Sequence, residues 1–130
     1  MMRRVQVASI AAALAAAVPS GSARALQAAR GTAARELDVP VGGASLHVRT
    51  IGSGRPVIVL HGGPDFDYGY LLPELDRFAD ANRLIYYDQR GRGRSANRVR
   101  PQDVTLGSEV DDLDQVRQYL RDAARLGFLL

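Results

Sequence analysis

The sequence predicts an α/β fold: an antiparallel hairpin, then parallel strands with flanking helices. Three observations carry that expectation. Val57-Ile58-Val59-Leu60 is an apolar run that does not alternate and stops at His61-Gly62-Gly63-Pro64, the pattern of a strand buried on both faces. A second strand-then-glycine unit, Leu84 to Ser95, follows two dozen residues later, with an apolar stripe at helical spacing between the two. Ahead of both, two alternating segments flank Gly42-Gly43, the signature of a hairpin.

The chain opens on a leader, residues 1–25. Arg3 and Arg4 supply a positive start, Val7 to Val18 an Ala-rich apolar run, and Pro19-Ser20-Gly21-Ser22 a break before Ala23-Arg24-Ala25. This is the layout of a secretory signal peptide, and it predicts a secreted or periplasmic product cleaved after Ala25. The apolar run is too short to span a bilayer. No cysteine follows it to carry a lipid, so no stable membrane anchor is expected. Residues 26–35 are polar and Ala-rich, a flexible lead-in, and residues 36–130 make the folded domain.

Within that domain, Arg35 to Val41 and Ala44 to Ile51 alternate. Leu46, Val48 and Thr50 fall on one face, and His47, Arg49 and Ile51 on the other. His47 reads as a solvated strand histidine. Gly52-Ser53-Gly54-Arg55-Pro56 turns the chain into the apolar strand. After the loop Asp65 to Tyr70, Pro73 suits a helix first turn, and Leu72, Leu75, Phe78 and Ala79 form a stripe that Asn82 ends. Strand–helix–strand at this length predicts a parallel crossover. A polar connection leads to a last helix, Ser108 to about Leu126. Its start is suggested by Ser108 and Asp111 spaced as a capping box, and its end by Gly127.

Composition removes several function classes. Cysteine is absent, which rules out disulfides, thiolate metal sites and a cysteine nucleophile. The net charge of +3 is carried by Arg3, Arg4 and Arg24 of the leader, leaving arginines and acids equal in the rest of the chain. A basic excess confined to a leader is no phosphate-binding face, so no nucleic-acid partner is expected. The two histidines, His47 and His61, are too few and too far apart for a zinc site, and no phosphate-cradling loop is present. No metal or cofactor is expected.

The chemistry lies in the two glycine units. In His61-Gly62-Gly63-Pro64 the glycines let a ligand approach the backbone without a Cβ in the way. Asp88-Gln89-Arg90-Gly91-Arg92-Gly93-Arg94-Ser95 follows the next strand. There Asp88 suits a turn cap, and Gly91 and Gly93 allow tight backbone. Arg90 is expected to be buried or half-buried, and Arg92 and Arg94 solvated. Together the two units resemble the first part of an α/β-hydrolase, with His-Gly-Gly-Pro and Asp-Gln-Arg-Gly similar to the proline iminopeptidase branch.

The resemblance implies the N-terminal half of an α/β-hydrolase sheet, truncated before the nucleophile elbow. Gly63, or less favourably Gly62, would give the backbone N–H of an oxyanion hole. His61 would hold the loop by hydrogen bonds and Pro64 would stiffen it. Asp88, Gln89, Arg90, Gly91, Gly93 and Ser95 would be motif scaffold. In this fold the nucleophile sits in Gly-x-Ser-x-Gly, followed by an acid and a histidine. No such pentapeptide occurs in these 130 residues, and Ser22, Ser53 and Ser95 have the wrong context. No catalytic triad residue is therefore assigned. The resemblance implies part of a secreted serine hydrolase, a proline iminopeptidase-like aminopeptidase or a related ester or amide hydrolase. Its full-length relative would act on a small-molecule or peptide substrate. The competing expectation is a non-catalytic exported binding protein on a half hydrolase fold, using the Asp65–Tyr70 loop.

Overall fold

The structure, a computed structural model, describes residues 33–63 and 65–125. The leader, most of the lead-in, Pro64 and the helix stop at Gly127 lie outside the described residues.

Four strands form one mixed sheet: β1 (Arg35–Val41), β2 (Ala44–Ile51), β3 (Arg55–Val59) and β4 (Asn82–Tyr87), in the order β1-β2-β4-β3. β1 and β2 pair antiparallel through the Gly42-Gly43 turn, β2 pairs antiparallel with β4, and β3 runs parallel to β4. Gly43 has a φ of 77°, a left-handed conformation that glycine adopts without a steric penalty.

Both faces of the sheet are covered, which is why β4 is buried along Leu84, Ile85, Tyr86 and Tyr87. On one face Val39, Val41, Leu46, Val48, Ile85 and Tyr87 pack against Val116 and Leu120 of a long helix. On the other, Leu84 and Tyr86 pack with Tyr68, Ala79 and the partly buried Leu71, Leu72 and Leu75. The alternation expected for β2 holds: Leu46, Val48 and Thr50 are buried while His47, Arg49 and Ile51 are half-buried.

Three expectations change. The run Val57–Leu60, expected to be buried on both faces, is partly open: β3 ends at Val59 and Leu60 follows it, with Val57 and Leu60 37% and 51% exposed. The expected helix Leu72 to Ala81 is broken. A single α turn, α1 (Leu72–Leu75), lies between 3-10 turns at Tyr68–Leu71 and Asp76–Asp80. So short a segment gains little from helix cooperativity, and its side chains bond elsewhere. Asp76 takes two hydrogen bonds from Arg49, at 2.9 and 2.7 Å, and one from the Tyr86 hydroxyl at 2.9 Å. Burial pushes the Asp76 carboxyl up, but these bonds outweigh it and hold it below the usual carboxylate range. The last helix, α2 (Leu106–Arg125), starts two residues earlier than expected. Its reciprocal cap is Thr105 with Ser108, not Ser108 with Asp111. The Ser108 N–H donates to Thr105 Oγ1 at 3.1 Å, and the Thr105 N–H to Ser108 Oγ at 2.9 Å. Two hydroxyls thus do what a hydroxyl and a carboxylate usually do.

Candidate functional site

The two glycine units lie side by side because β3 and β4 are parallel neighbours, so the loops leaving their carboxyl ends meet. His61 and Gln89 tie them together. The Gln89 N–H donates to His61 Nε2 at 3.0 Å, and the Gln89 side-chain amide donates to the His61 carbonyl at 3.0 Å. His61 is 3% exposed. With Nε2 accepting, the hydrogen sits on Nδ1, which is buried and has no hydrogen-bond partner among the described residues.

His61 and Gln89 leave Gly62 and Gly63 exposed at the surface of the loop. Gly63 has a φ of 80°, and a Cβ there would collide with the Phe66 ring. Only glycine meets both conditions. Its N–H makes no hydrogen bond with any described residue, whereas the Gly62 N–H donates to the Tyr70 hydroxyl at 3.0 Å. Pro64, the fourth residue of the motif, lies outside the described residues.

The second loop is built around Asp88, 2% exposed. Its Oδ1 accepts from the Tyr68 N–H at 3.2 Å and its Oδ2 from the Arg94 N–H at 2.8 Å. It therefore caps its own turn and the segment before α1. Gly93 has a φ of 47°, and a Cβ on it would strike the Asp88 carboxylate. Gly91, at φ 76°, closes on Val104. Ser95 is buried, and its hydroxyl accepts from the His47 N–H at 2.9 Å, which joins this loop to β2.

Arg90 donates from Nε and Nη2 to the two oxygens of Asp112 at 2.8 and 2.6 Å, and from Nη2 to the Gly42 carbonyl at 2.9 Å. The hydrogen bonds to Asp112 raise its pKa further above the ordinary arginine range. The guanidinium thus joins the second loop, α2 and the hairpin turn. Arg92, expected to be solvated, is half-buried and paired with Glu109 at 2.5 Å. Arg94 is exposed and bonds Glu36 at 2.8 Å. His47 is not a solvated histidine: its side chain is 12% exposed, with Nδ1 3.1 Å from Asp38 and Nε2 2.7 Å from Arg94 Nη1. Its ring stacks on Tyr68.

The motifs did not point to Tyr70, Asp112 or the pairing of His61 with Gln89. Asp112 left a trace in the sequence. It sits four and eight residues before Val116 and Leu120, a carboxylate in the apolar stripe of a helix. Tyr70 and the His61–Gln89 pairing left none. Among the described residues no group of histidines and acids could hold a metal ion.

No family model matches the sequence. A proline iminopeptidase of Heyndrickxia coagulans is 46% identical over 72 residues, 53% of this chain and 24% of that protein. The crystal structure of a proline iminopeptidase-related protein from Thermus thermophilus superposes with a TM-score of 0.63 at 33% identity, covering 68% of this chain and 33% of that one. A haloalkane dehalogenase from Agrobacterium tumefaciens superposes with a TM-score of 0.57 at 30% identity, over 68% of this chain and 29% of that one. The matched stretch is about a quarter of the length of the curated relatives. A sheet with this order, its paired glycine loops and these likenesses place the chain in the α/β-hydrolase superfamily, as a partial fold with proline iminopeptidases among its relatives.

Proposed function

We propose that this chain is the part of a secreted serine hydrolase that supplies the oxyanion-binding loop. The reaction class is that of a proline iminopeptidase-like aminopeptidase or a related ester or amide hydrolase, acting on a peptide or small-molecule substrate. The observation that carries this reading is the Gly63 N–H. It has no bond to another described residue, follows β3, and lies on a loop that His61 and Gln89 hold to the neighbouring loop. A tetrahedral oxyanion needs a donor fixed in advance, about 3 Å away, with nothing bulky between. In this superfamily one such donor comes from the loop after the third strand and the other from the residue after the nucleophile.

The 130 residues hold no nucleophile elbow, so attack on the acyl carbon requires residues they do not contain. Oxyanion donors and positioning alone leave only a small residual rate. A fluorophosphonate probe is expected to leave the purified chain unlabelled; stoichiometric labelling of any serine would overturn that part of the reading. The hydrolase assignment itself is tested by the nucleotide sequence after codon 130. A Gly-x-Ser-x-Gly, then an acid and a late histidine, is expected in one frame, and their absence from every frame refutes it. Export is tested by N-terminal sequencing. A mature chain starting at Leu26 is expected, and a product retaining Met1 or Met2 refutes cleavage.

A further inference from the structure

Two aromatic rings hold the glycine loop from the solvent side. The Tyr70 hydroxyl accepts the Gly62 N–H at 3.0 Å. Phe66 covers Gly63 so closely that a Cβ could not be placed there. The two rings touch, with centroids 5.4 Å apart and planes tilted by 59°, the edge-to-face range favoured by aromatic pairs. Phe66 and Tyr70 are 59% and 53% exposed, so burial in a core does not account for where they stand. What they share is contact with two successive glycines, one at its N–H and the other at its Cα.

That arrangement separates the two amides. Successive N–H groups on a glycine loop are ordinarily interchangeable candidates for an incoming anion or oxyanion. Here one is already bonded and the other is not. A ligand oxygen reaching the Gly62 N–H would have to displace the phenol, while the Gly63 N–H has no described hydrogen-bond partner to displace, although the Phe66 ring stands over that residue. We propose that Tyr70 is a positioning residue. By holding the Gly62 N–H it fixes the peptide before Gly63 and leaves the Gly63 N–H as the donor that meets the substrate oxygen. This role rests on the hydrolase reading above, which already favours Gly63, and adds to it a tyrosine outside the motif that occupies the neighbouring amide.

The test uses the full 130-residue chain, labelled with 15N-glycine, and ethyl methylphosphonate as the probe, a tetrahedral monoanion resembling the adduct. The Gly63 amide is expected to shift on titration while Gly62 stays still. In Tyr70→Phe, which keeps the ring and its contact with Phe66, the Gly62 amide is expected to exchange with solvent about fivefold faster, the value of one ordinary hydrogen bond, and to begin responding to the probe. A response at Gly62 in the wild type, no response at Gly63, or unchanged Gly62 exchange in Tyr70→Phe overturns the proposal. Should the variant lose its fold, the wild-type comparison of the two amides decides. A Gly63-selective response in a chain whose gene encodes no downstream nucleophile upholds the role of Tyr70 while the hydrolase reading falls.

Discussion

Replacing Asp112 with alanine would strand a guanidinium inside the protein. Arg90 and Asp112 have side chains only 7% and 1% exposed, and they share two hydrogen bonds of 2.8 and 2.6 Å. Asp112→Ala removes both and leaves Arg90 with the Gly42 carbonyl alone. Breaking a buried pair from one side costs about 3–5 kcal/mol, because the remaining charge has lost both its water and its partner. A domain of this length has a stability of about 5–10 kcal/mol, so the variant should lose roughly a third or more of it. Arg90→Met combined with Asp112→Leu removes both charges and fills the space with apolar atoms. It should recover most of the loss, since such exchanges are often neutral. Urea unfolding followed by far-UV circular dichroism reads all three variants, Arg90→Met alone included. A loss below about 1 kcal/mol for Asp112→Ala would refute the reasoning. It would mean that water, or the nearby Asp103 and Glu109 that already act on Arg90, satisfies the guanidinium as well as Asp112 does.

Gly93→Ala forces a side chain into a left-handed backbone and against Asp88, and should cost about 2 kcal/mol or more in the same urea melts. Gly42→Ala, whose Cβ would meet only Gln115 Nε2 at 3.8 Å, should stay within about 0.5 kcal/mol of the wild type. The uncovered side of β3, with apolar Val57 and Leu60 exposed, should drive self-association that Val57→Lys suppresses; a wild-type chain eluting as a monomer in size-exclusion chromatography would contradict this. Tyr87 is pushed up to about 12, first by burial and then by Glu109 and Asp112. A free tyrosine titrates near about 10, so the unfolded chain loses this proton first and the stability that depends on it falls from about pH 10 to 12. Circular dichroism across that range should show the fall, and Tyr87→Phe should lessen it; burial raises Tyr86 and Tyr68 as well, so part of the fall should remain.

What the sequence revealed, and what it hid, follows from the range of each interaction. The hairpin faces were legible because a period of two is written in adjacent residues, Leu46, Val48 and Thr50 against His47, Arg49 and Ile51. The parallel pairing of β3 and β4 was legible because each strand runs apolar and ends in glycines. The broken helix was not, since Asp76 is drawn by Arg49 and Tyr86, 27 and 10 residues away. The helix start is ambiguous in the sequence for a local reason. Ser108 suits two caps, and the acid at Asp111 favours the wrong one. At the site, glycines declared themselves by position, but the groups that hold them did not. Arg90 finds Asp112 across 22 residues and His61 finds Gln89 across 28. The half-burial of Arg92 and His47 likewise depends on Glu109 and on Asp38 and Arg94, partners chosen by the tertiary fold.

The bond between His61 and Gln89 has an evolutionary consequence. Each residue gives one group from its backbone and one from its side chain, so the contact is closed only by this combination or a close mimic of it. Gln89→Glu would set a carboxylate against the His61 carbonyl. Gln89→Leu would leave that carbonyl without its donor, and His61→Leu would leave the Gln89 N–H without its acceptor. The backbone N–H at position 89 reaches His61 Nε2 whatever side chain stands there, so a change at 89 gives up one bond, while a change at 61 leaves a part-buried N–H without its acceptor; of the two positions, 61 is the more tightly constrained.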